Sequence, residues 1–574
     1  MRAIRRHWEV YLLLLPSMAA TIVFYYYPMA SGFYHSFTYW DIKRTVWIGL
    51  DNYQRMLSDP VTLIAWRNMA TLLIANIVIV MTLPLLGAAL VAHVRASAAQ
   101  FWWRMVFVLP IVVPGTVIVF VWRWFYGMDG GLNILLRAIG LDSITRWWLG
   151  DPSTALGAII FVAFPWIAGL NFLVYLAALQ SISSDLLDAA QVDGAGPMRR
   201  FFAIELPLIR NQMLVLVALT FIYYIRSFDA PLIMTNGGPG SAGTLVPGLQ
   251  MYRAVRDDLD LGYGSAIGSV LFAVTFLLVL LRSMLSRLGG CKIWSIAGHM
   301  TTLRRNAGQL AIYSILTVFA FLTFVPILTL INLSFKDVYQ FGANPMGITF
   351  PLVFANYELA WQFMRDPLWH NIVVGTVSIT ASLTMAALTA FLFARFDFPG
   401  RDIIFFAFLL ILFVPGTILL VPTFQLIVQL KLHNTLWALI LPYSAHQSLI
   451  IFVLRSFFAD LPSEMFDAAK VDGAGTVQQF WRIAIPLALP ALSAMAIFQI
   501  WWIWNDYAWP SLVANSPAAR TVVSAVIFFN DGMYRPEPGA GMAAAVIAAL
   551  PMVVLFIFTM RTFVAGLTAG AVKQ

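Results

Sequence analysis

Twelve apolar runs, each about long enough to cross the hydrocarbon core of a bilayer as a helix, constrain this 574-residue chain more than any other feature. Six lie in the first half, roughly at 10–34, 69–93, 104–126, 155–180, 213–235 and 265–286. Six more follow at 309–333, 371–396, 403–425, 435–456, 489–513 and 541–562. Backbone N–H and C=O groups find no water in lipid, so each run must satisfy them internally as a helix. The fold class expected is therefore all-α, a polytopic membrane protein. Composition agrees: 60% of residues are hydrophobic, 11% are charged, and mean hydropathy is +0.81.

Charge sets the direction. Arg2, Arg5 and Arg6 precede the first run, and Arg282, Arg287, Lys292, Arg304 and Arg305 lie between the halves with no acid among them. Both regions read as cytoplasmic. The segments near 35–68, 127–154, 236–264, 334–370, 426–434 and 514–540 then read as external. The same bias accounts for the net charge of +8 without a nucleic-acid partner. A single cysteine, Cys291, excludes an internal disulfide and a thiol cluster, and the seven histidines are too scattered to read as a metal site. The first run continues beyond a short signal core with no small-residue cleavage pattern after it, so it is read as a retained helix.

The halves repeat each other. Residues 188–207, DAAQVDGAGPMRRFFAIELP, and 467–486, DAAKVDGAGTVQQFWRIAIP, are identical at 11 of 20 positions. The offset of 279 residues also pairs Pro231 with Pro510, while Pro114-Gly115-Thr116 pairs with Pro415-Gly416-Thr417 at an offset of 301. A longer external loop in the first half accounts for the difference. The division expected is 1–288, a cytoplasmic linker at 289–305, and 306–574, with the repeated loops at 183–212 and 460–488. Two halves that start on the same side are parallel repeats, with a substrate path between them.

Each repeated loop reads as helix, turn, helix. Ser184 is expected to cap the first helix near Asp185, and Pro462 to take the first helical position in the second copy. Gly194-Ala195-Gly196 and Gly473-Ala474-Gly475 make the turns. Phe201, Ile204 and Leu208, repeated as Phe480, Ile483 and Leu487, give the second helix its apolar spacing. The first helix sets Leu186 and Leu187, or Met465 and Phe466, beside Asp188 or Asp467, a mixture suited to docking on a soluble partner. One such loop alone could equally rest on lipid headgroups. Two at equivalent places favour a partner with two equivalent sites.

The D-A-A, the G-A-G three residues later and the final I-x-x-P resemble the EAA coupling loop of ABC-importer permeases. The stretches TNGGPGSAGTLVPGLQMYRAVRDDLDLGYGSAIG, FVPGTILLVPTFQLIVQLKLHNT, QIWWIWNDYAWP and FPWIAGLNFLVYLAALQSI resemble the carbohydrate-uptake branch, of the maltose and glycerol-phosphate type. The resemblance covers nearly the whole chain, as two permeases joined in one. It implies a type I importer transmembrane domain in a bacterial or archaeal plasma membrane, served by two ABC ATPase subunits and an extracytoplasmic solute-binding protein. The implied coupling residues are Leu186, Leu187, Asp188, Ala189, Ala190, Asp193 and Gly194, with Met465, Phe466, Asp467, Ala468, Ala469, Asp472 and Gly473. Aspartate stands at 188 and 467 where the motif has Glu. None of the six lysines is followed by Ser or Thr, so the chain has no GxxxxGK[ST] loop. ATP and Mg are expected in the partner ATPase, and the chain is expected to be a transport subunit rather than an enzyme.

Polar groups inside spans are costly and mark candidate sites. Asn171, Tyr175, Tyr224, Arg226, Ser227 and Asp229 in the first half, with Asn505 and Asp506 in the second, are the candidate contacts to a sugar or polyol. For Arg226 and Asp229 an i,i+3 ion pair is the competing reading, and for Trp504 and Trp509 an interfacial aromatic belt is preferred. A proton- or ion-coupled secondary transporter is the rival for the whole chain. It would have no need of two docking loops.

Overall fold

The computed structural model describes residues 7–240, 242–286, 305–414, 416–530 and 537–572. Apart from Arg305, the expected linker lies outside them. Helices form nearly all of it. The only sheet among the described residues is a two-stranded antiparallel hairpin, Thr38–Trp40 with Thr45–Trp47, in which Thr38 faces Trp47 and Trp40 faces Thr45.

Among the described residues, seven helices are long and apolar enough to cross a membrane unbroken: Trp8–His35, Pro60–Ala92, Gly308–Ser334, Ala355–Arg395, Trp437–Ala459, Thr476–Asn505 and Pro538–Thr559. Counting each bent pair as one span raises the number to ten. Two shorter apolar helices, Leu261–Leu277 and Ile418–Gln429, stand at the remaining runs, so the expected dozen is kept with several spans bent or broken. The run at 104–126 bends by 82° between Ser97–Ile111 and Gly115–Phe125, at Val113-Pro114. The run at 155–180 splits into Ala155–Ile160 and Leu170–Gln180 around Pro165, and that at 403–425 into Arg401–Leu410 and Gly416–Gln429. Proline lacks the N–H of a helical hydrogen bond and its ring clashes with the preceding turn, so a break follows where neighbouring protein covers the freed groups.

Two helices run further than their apolar stretches. They begin at Pro60 and Ala355 rather than near 69 and 371. Asp59 accepts a hydrogen bond from Val61 N at 2.9 Å, and Pro60 takes the first helical position. Nothing obliges a helix to be apolar beyond the lipid. The segments 236–264 and 514–540, read as external loops, instead carry helices Pro247–Arg256 and Val522–Phe528, whose Leu249, Met251, Val255, Val522 and Ala525 are fully buried.

The halves interlock. The first helix packs on the second half: Tyr11 Oη donates to Pro399 O at 2.6 Å, Tyr26 Oη to Ala407 O at 2.7 Å, and Ser17 Oγ to Met385 O at 3.1 Å while accepting from Thr389 Oγ1 at 2.7 Å. Reciprocally, Gln309 at the start of the second half bonds His93 O at 3.0 Å, and Leu316, Leu330 and Leu333 bury against Val91 and Phe120. All three apolar cores draw on both halves.

Candidate functional site

The repeated loops form nearly superposable local structures. Helix Ser184–Val192 is capped by Ser183, whose Oγ accepts from Asp185 N at 3.2 Å, and Pro462 is the N-cap of Ser463–Val471. The first cap thus falls one residue earlier than the expected Ser184, and the second, at Pro462 itself, later than the expected residues before it, so that the two lie at positions related by the same 279-residue offset. Gly194 (φ +79°) and Gly473 (φ +83°) turn the chain, and Ala195 N and Ala474 N close on Ala190 O and Ala469 O at 2.9 and 2.8 Å. Left-handed φ favours glycine here. Gly196 and Gly475 have ordinary extended backbones, and a Cβ on either would meet nothing within 4 Å. The protein itself has no need of glycine at these two places.

Most of each helix is exposed: Leu186, Asp188, Ala189, Asp193 and Gly194 in the first, Met465, Asp467, Ala468, Asp472 and Gly473 in the second. Leu187 and Ala469 are half-buried. Two candidates turn inward instead. Ala190 is buried, and Phe466, only 4% exposed, packs against Phe391 beneath the Arg395 guanidinium, 4.4 Å from the ring. The helical register forces this, since some face must hold the helix to the bundle. It also presents residues missed in the sequence: Val192 and Val471 are 87% and 88% exposed, and Met198 and Val477 stand out beside them. Exposed apolar residues at positions related by the repeat were the available signal.

Behind each loop, the end of the second span of the same half holds it in place. In the first half buried Glu205 accepts from Arg200 Nε at 2.9 Å and lies 3.3 Å from His93 Nε2. That contact raises the His93 pKa. In the second half Ala484 replaces Glu205, and Arg395 donates to Leu461 O.

The fifth span breaks at the same place in both halves. Helix Arg210–Arg226 ends at extended Ser227 before Asp229–Thr235, and Ile485–Asn505 ends at extended Asp506 before Ala508–Val513. Irregular backbone at such depth belongs where it lines a cavity. Arg226, Ser227, Asp229, Asn505 and Asp506 therefore gather at two facing breaks. Asp229 lies within electrostatic range of Asp506, and Arg226 of His446, in each case across the halves. No ion pair joins Arg226 to Asp229 among the described residues, and the buried Arg226 Nε has no hydrogen-bond partner. The i,i+3 reading is set aside, because the helix ends between the two residues.

The other candidates divide. Asp506 accepts from Tyr443 Oη at 2.8 Å, and Tyr224 Oη donates to Asn76 Oδ1 at 2.7 Å. Asn505 Oδ1 accepts from Gly115 N at 2.8 Å, so Asn505 braces the broken third span of the opposite half, beside Trp501 Nε1, which donates to Ile111 O at 3.2 Å. Tyr175 is fully buried in an apolar core, whereas Asn171 is half-buried near the start of Leu170–Gln180. Trp504 and Trp509 form no interfacial belt: their indole N–H groups donate to Ala548 O at 3.1 Å and Ala438 O at 3.2 Å. Tyr443, His446 and Trp502, with His446 edge-on to Trp502 at 4.5 Å, complete the cluster. They were missed in the sequence because Tyr443 and His446 come from one span and Trp502 from another. Among the described residues no group of His, Cys, Asp and Glu is placed to hold a metal.

Comparison with known proteins matches residues 85–288 and again 378–568 to the family described as binding-protein-dependent transport system inner membrane component. A probable ABC transporter permease protein of Bacillus subtilis, YurN, is 34% identical over 282 residues, 49% of this chain and 96% of its own. The arabinooligosaccharides transport system permease protein AraQ of Halalkalibacterium halodurans is 32% identical, over 47% of this chain and 100% of its own. The sulfoquinovosyl glycerol transport system permease protein SmoG of Agrobacterium fabrum is 34% identical, over 46% and 85%. Each relative's length thus answers to about half of this chain. A solved bacterial alginate ABC transporter, in complex with an alginate pentasaccharide-bound periplasmic protein, has a chain 25% identical, with a TM-score of 0.44 over 50% of this chain and 96% of that one.

Proposed function

Since the chain belongs, in both its halves, to the family of binding-protein-dependent transport system inner membrane components, we propose that it is the membrane-spanning permease of an ATP-driven importer for a sugar or related polyol. Both permease subunits are supplied in one polypeptide. The observation that carries the energy source is the pair of outward helices Ser184–Val192 and Ser463–Val471. Each offers an exposed carboxylate and an exposed valine at its end, and the turn after each holds a glycine, Gly196 or Gly475, with open space where a Cβ would stand. Two such helices fit two equivalent ATPase subunits, which would hold ATP and Mg.

The sugar reading draws on the relatives named for oligosaccharide and sugar-glycerol transport and on the chemistry at the two breaks. Arg226 has a buried Nε without a partner, Asp229 adds a carboxyl, Ser227 a hydroxyl, and Asp506 is held in place by Tyr443. Carboxylate and guanidinium groups in a low-dielectric cleft suit a ligand rich in hydroxyls. ATPase closure draws the two coupling helices together, and the interlocked halves carry that motion to the facing breaks.

Vesicles containing the chain, an ATPase subunit of the family and a binding protein test this. ATP-dependent uptake that requires both partners is the expected result. Uptake driven by a proton gradient without the ATPase would establish the secondary transporter instead.

A further inference from the structure

A polar cavity lined by none of the residues at the facing breaks lies at the end of the first helix. The hairpin Thr38–Trp40/Thr45–Trp47, the last turns of Tyr27–His35 and the end of helix Gly416–Gln429 from the other half enclose about 200 Å³. Its walls are fixed. A Cβ on Gly32 would stand 3.2 Å from Ile418 O, so the two helices meet backbone to backbone. Asp41 Oδ1 accepts from Lys43 N and Arg44 N, both at 2.6 Å, which sets the hairpin turn, and His35 stacks on Trp40 at 3.8 Å.

The lining holds more hydrogen-bonding capacity than the protein uses. Gln425 is 8% exposed, and its buried Oε1 has no partner. His35 Nδ1 donates to Ser31 O at 2.8 Å, which leaves Nε2 as an acceptor in the neutral ring. Gln429 and Thr45 add an amide and a hydroxyl. A buried acceptor without a donor is costly, and this one sits in the wall of a cavity. A phosphate or carboxylate has no proton to give it, whereas a hydroxyl both donates and accepts.

We propose that this cavity is a second binding site, which takes a polyhydroxyl group of about the size of one sugar ring or a glycerol moiety. Two sources share that chemistry, a soluble saccharide and the glycerol headgroup of a phospholipid. The complex of the chain with its ATPase, in phosphatidylcholine nanodiscs, is titrated with trehalose by saturation-transfer NMR. In parallel, phosphatidylglycerol retained by the purified complex is measured by native mass spectrometry. Gln425→Met and His35→Leu should each weaken whichever probe binds by about tenfold, the effect of one lost hydrogen bond. The thermal midpoint of each variant shows that it is folded, and if one variant unfolds the other carries the test. Failure of both probes to bind the unsubstituted complex overturns the assignment. So does binding that is unchanged in the folded variants. The site does not depend on ATP-driven transport, so failure of uptake in vesicles leaves it standing.

Discussion

Asp188 and Asp467 occupy equivalent exposed positions, yet only Asp467 has a partner nearby, Lys470 at 3.1 Å. Replacing both with Ala should lower transport-coupled ATP hydrolysis in the reconstituted complex by at least about tenfold, the loss of one charge-assisted hydrogen bond per site. The helical circular dichroism should not change. His93 predicts a pH effect of definite sign. Glu205 raises its pKa in the folded protein, so the contact's contribution to stability is fully present below the ordinary histidine value and is lost as pH rises through the raised one. Protection factors across 197–209, taken relative to intrinsic exchange at each pH, should therefore fall from slightly acidic to alkaline pH, and His93→Gln should remove that fall. At the facing breaks, Arg226→Gln should lower uptake of the transported sugar by about tenfold. Unchanged uptake of every sugar tried would remove Arg226 from the substrate path.

At the scale of the element, the repeated loops separate two uses of glycine. Gly194 and Gly473 adopt positive φ, so Gly194→Ala should cost the loop about 1 kcal/mol, seen as faster exchange at 193–197. Gly196 and Gly475 have unstrained backbones and open surroundings. Gly196→Ala should leave that exchange unchanged and weaken ATPase binding, measured by co-purification. Both glycines were legible in the sequence as a turn, but only the backbone angles distinguish their roles. The caps are similar. Ser183 and Pro462 rather than Ser184 and the residues before Pro462 begin the helices, because adjacent serines and prolines leave a one-residue ambiguity that hydrogen-bond geometry resolves. The fifth spans read as single apolar runs, and their breaks at 226–229 and 505–508 were not legible. Hydropathy reports what a residue would gain from lipid and says little about where a helix ends against a neighbouring one.

At the scale of the whole molecule, the reciprocal embrace of the halves has its own consequence. Ser17 and Thr389 bond each other at 2.7 Å while fully or nearly buried, one from each half. Ser17→Val and Thr389→Val should each destabilise the protein by about 1–3 kcal/mol through the stranded partner, and the double variant by less than the sum. Thermal unfolding of the three variants checks this. The all-α membrane class, the two halves and the repeated loops are legible in the sequence alone, since they follow from hydrophobic length and from direct identity at a constant offset. It takes the folded packing to show that each first helix packs on the opposite half, that Asn505 braces Gly115, and that Tyr443, His446 and Trp502 join Asp506. Those contacts link residues far apart in the chain, and an apolar surface looks the same in sequence whether it faces lipid or another helix.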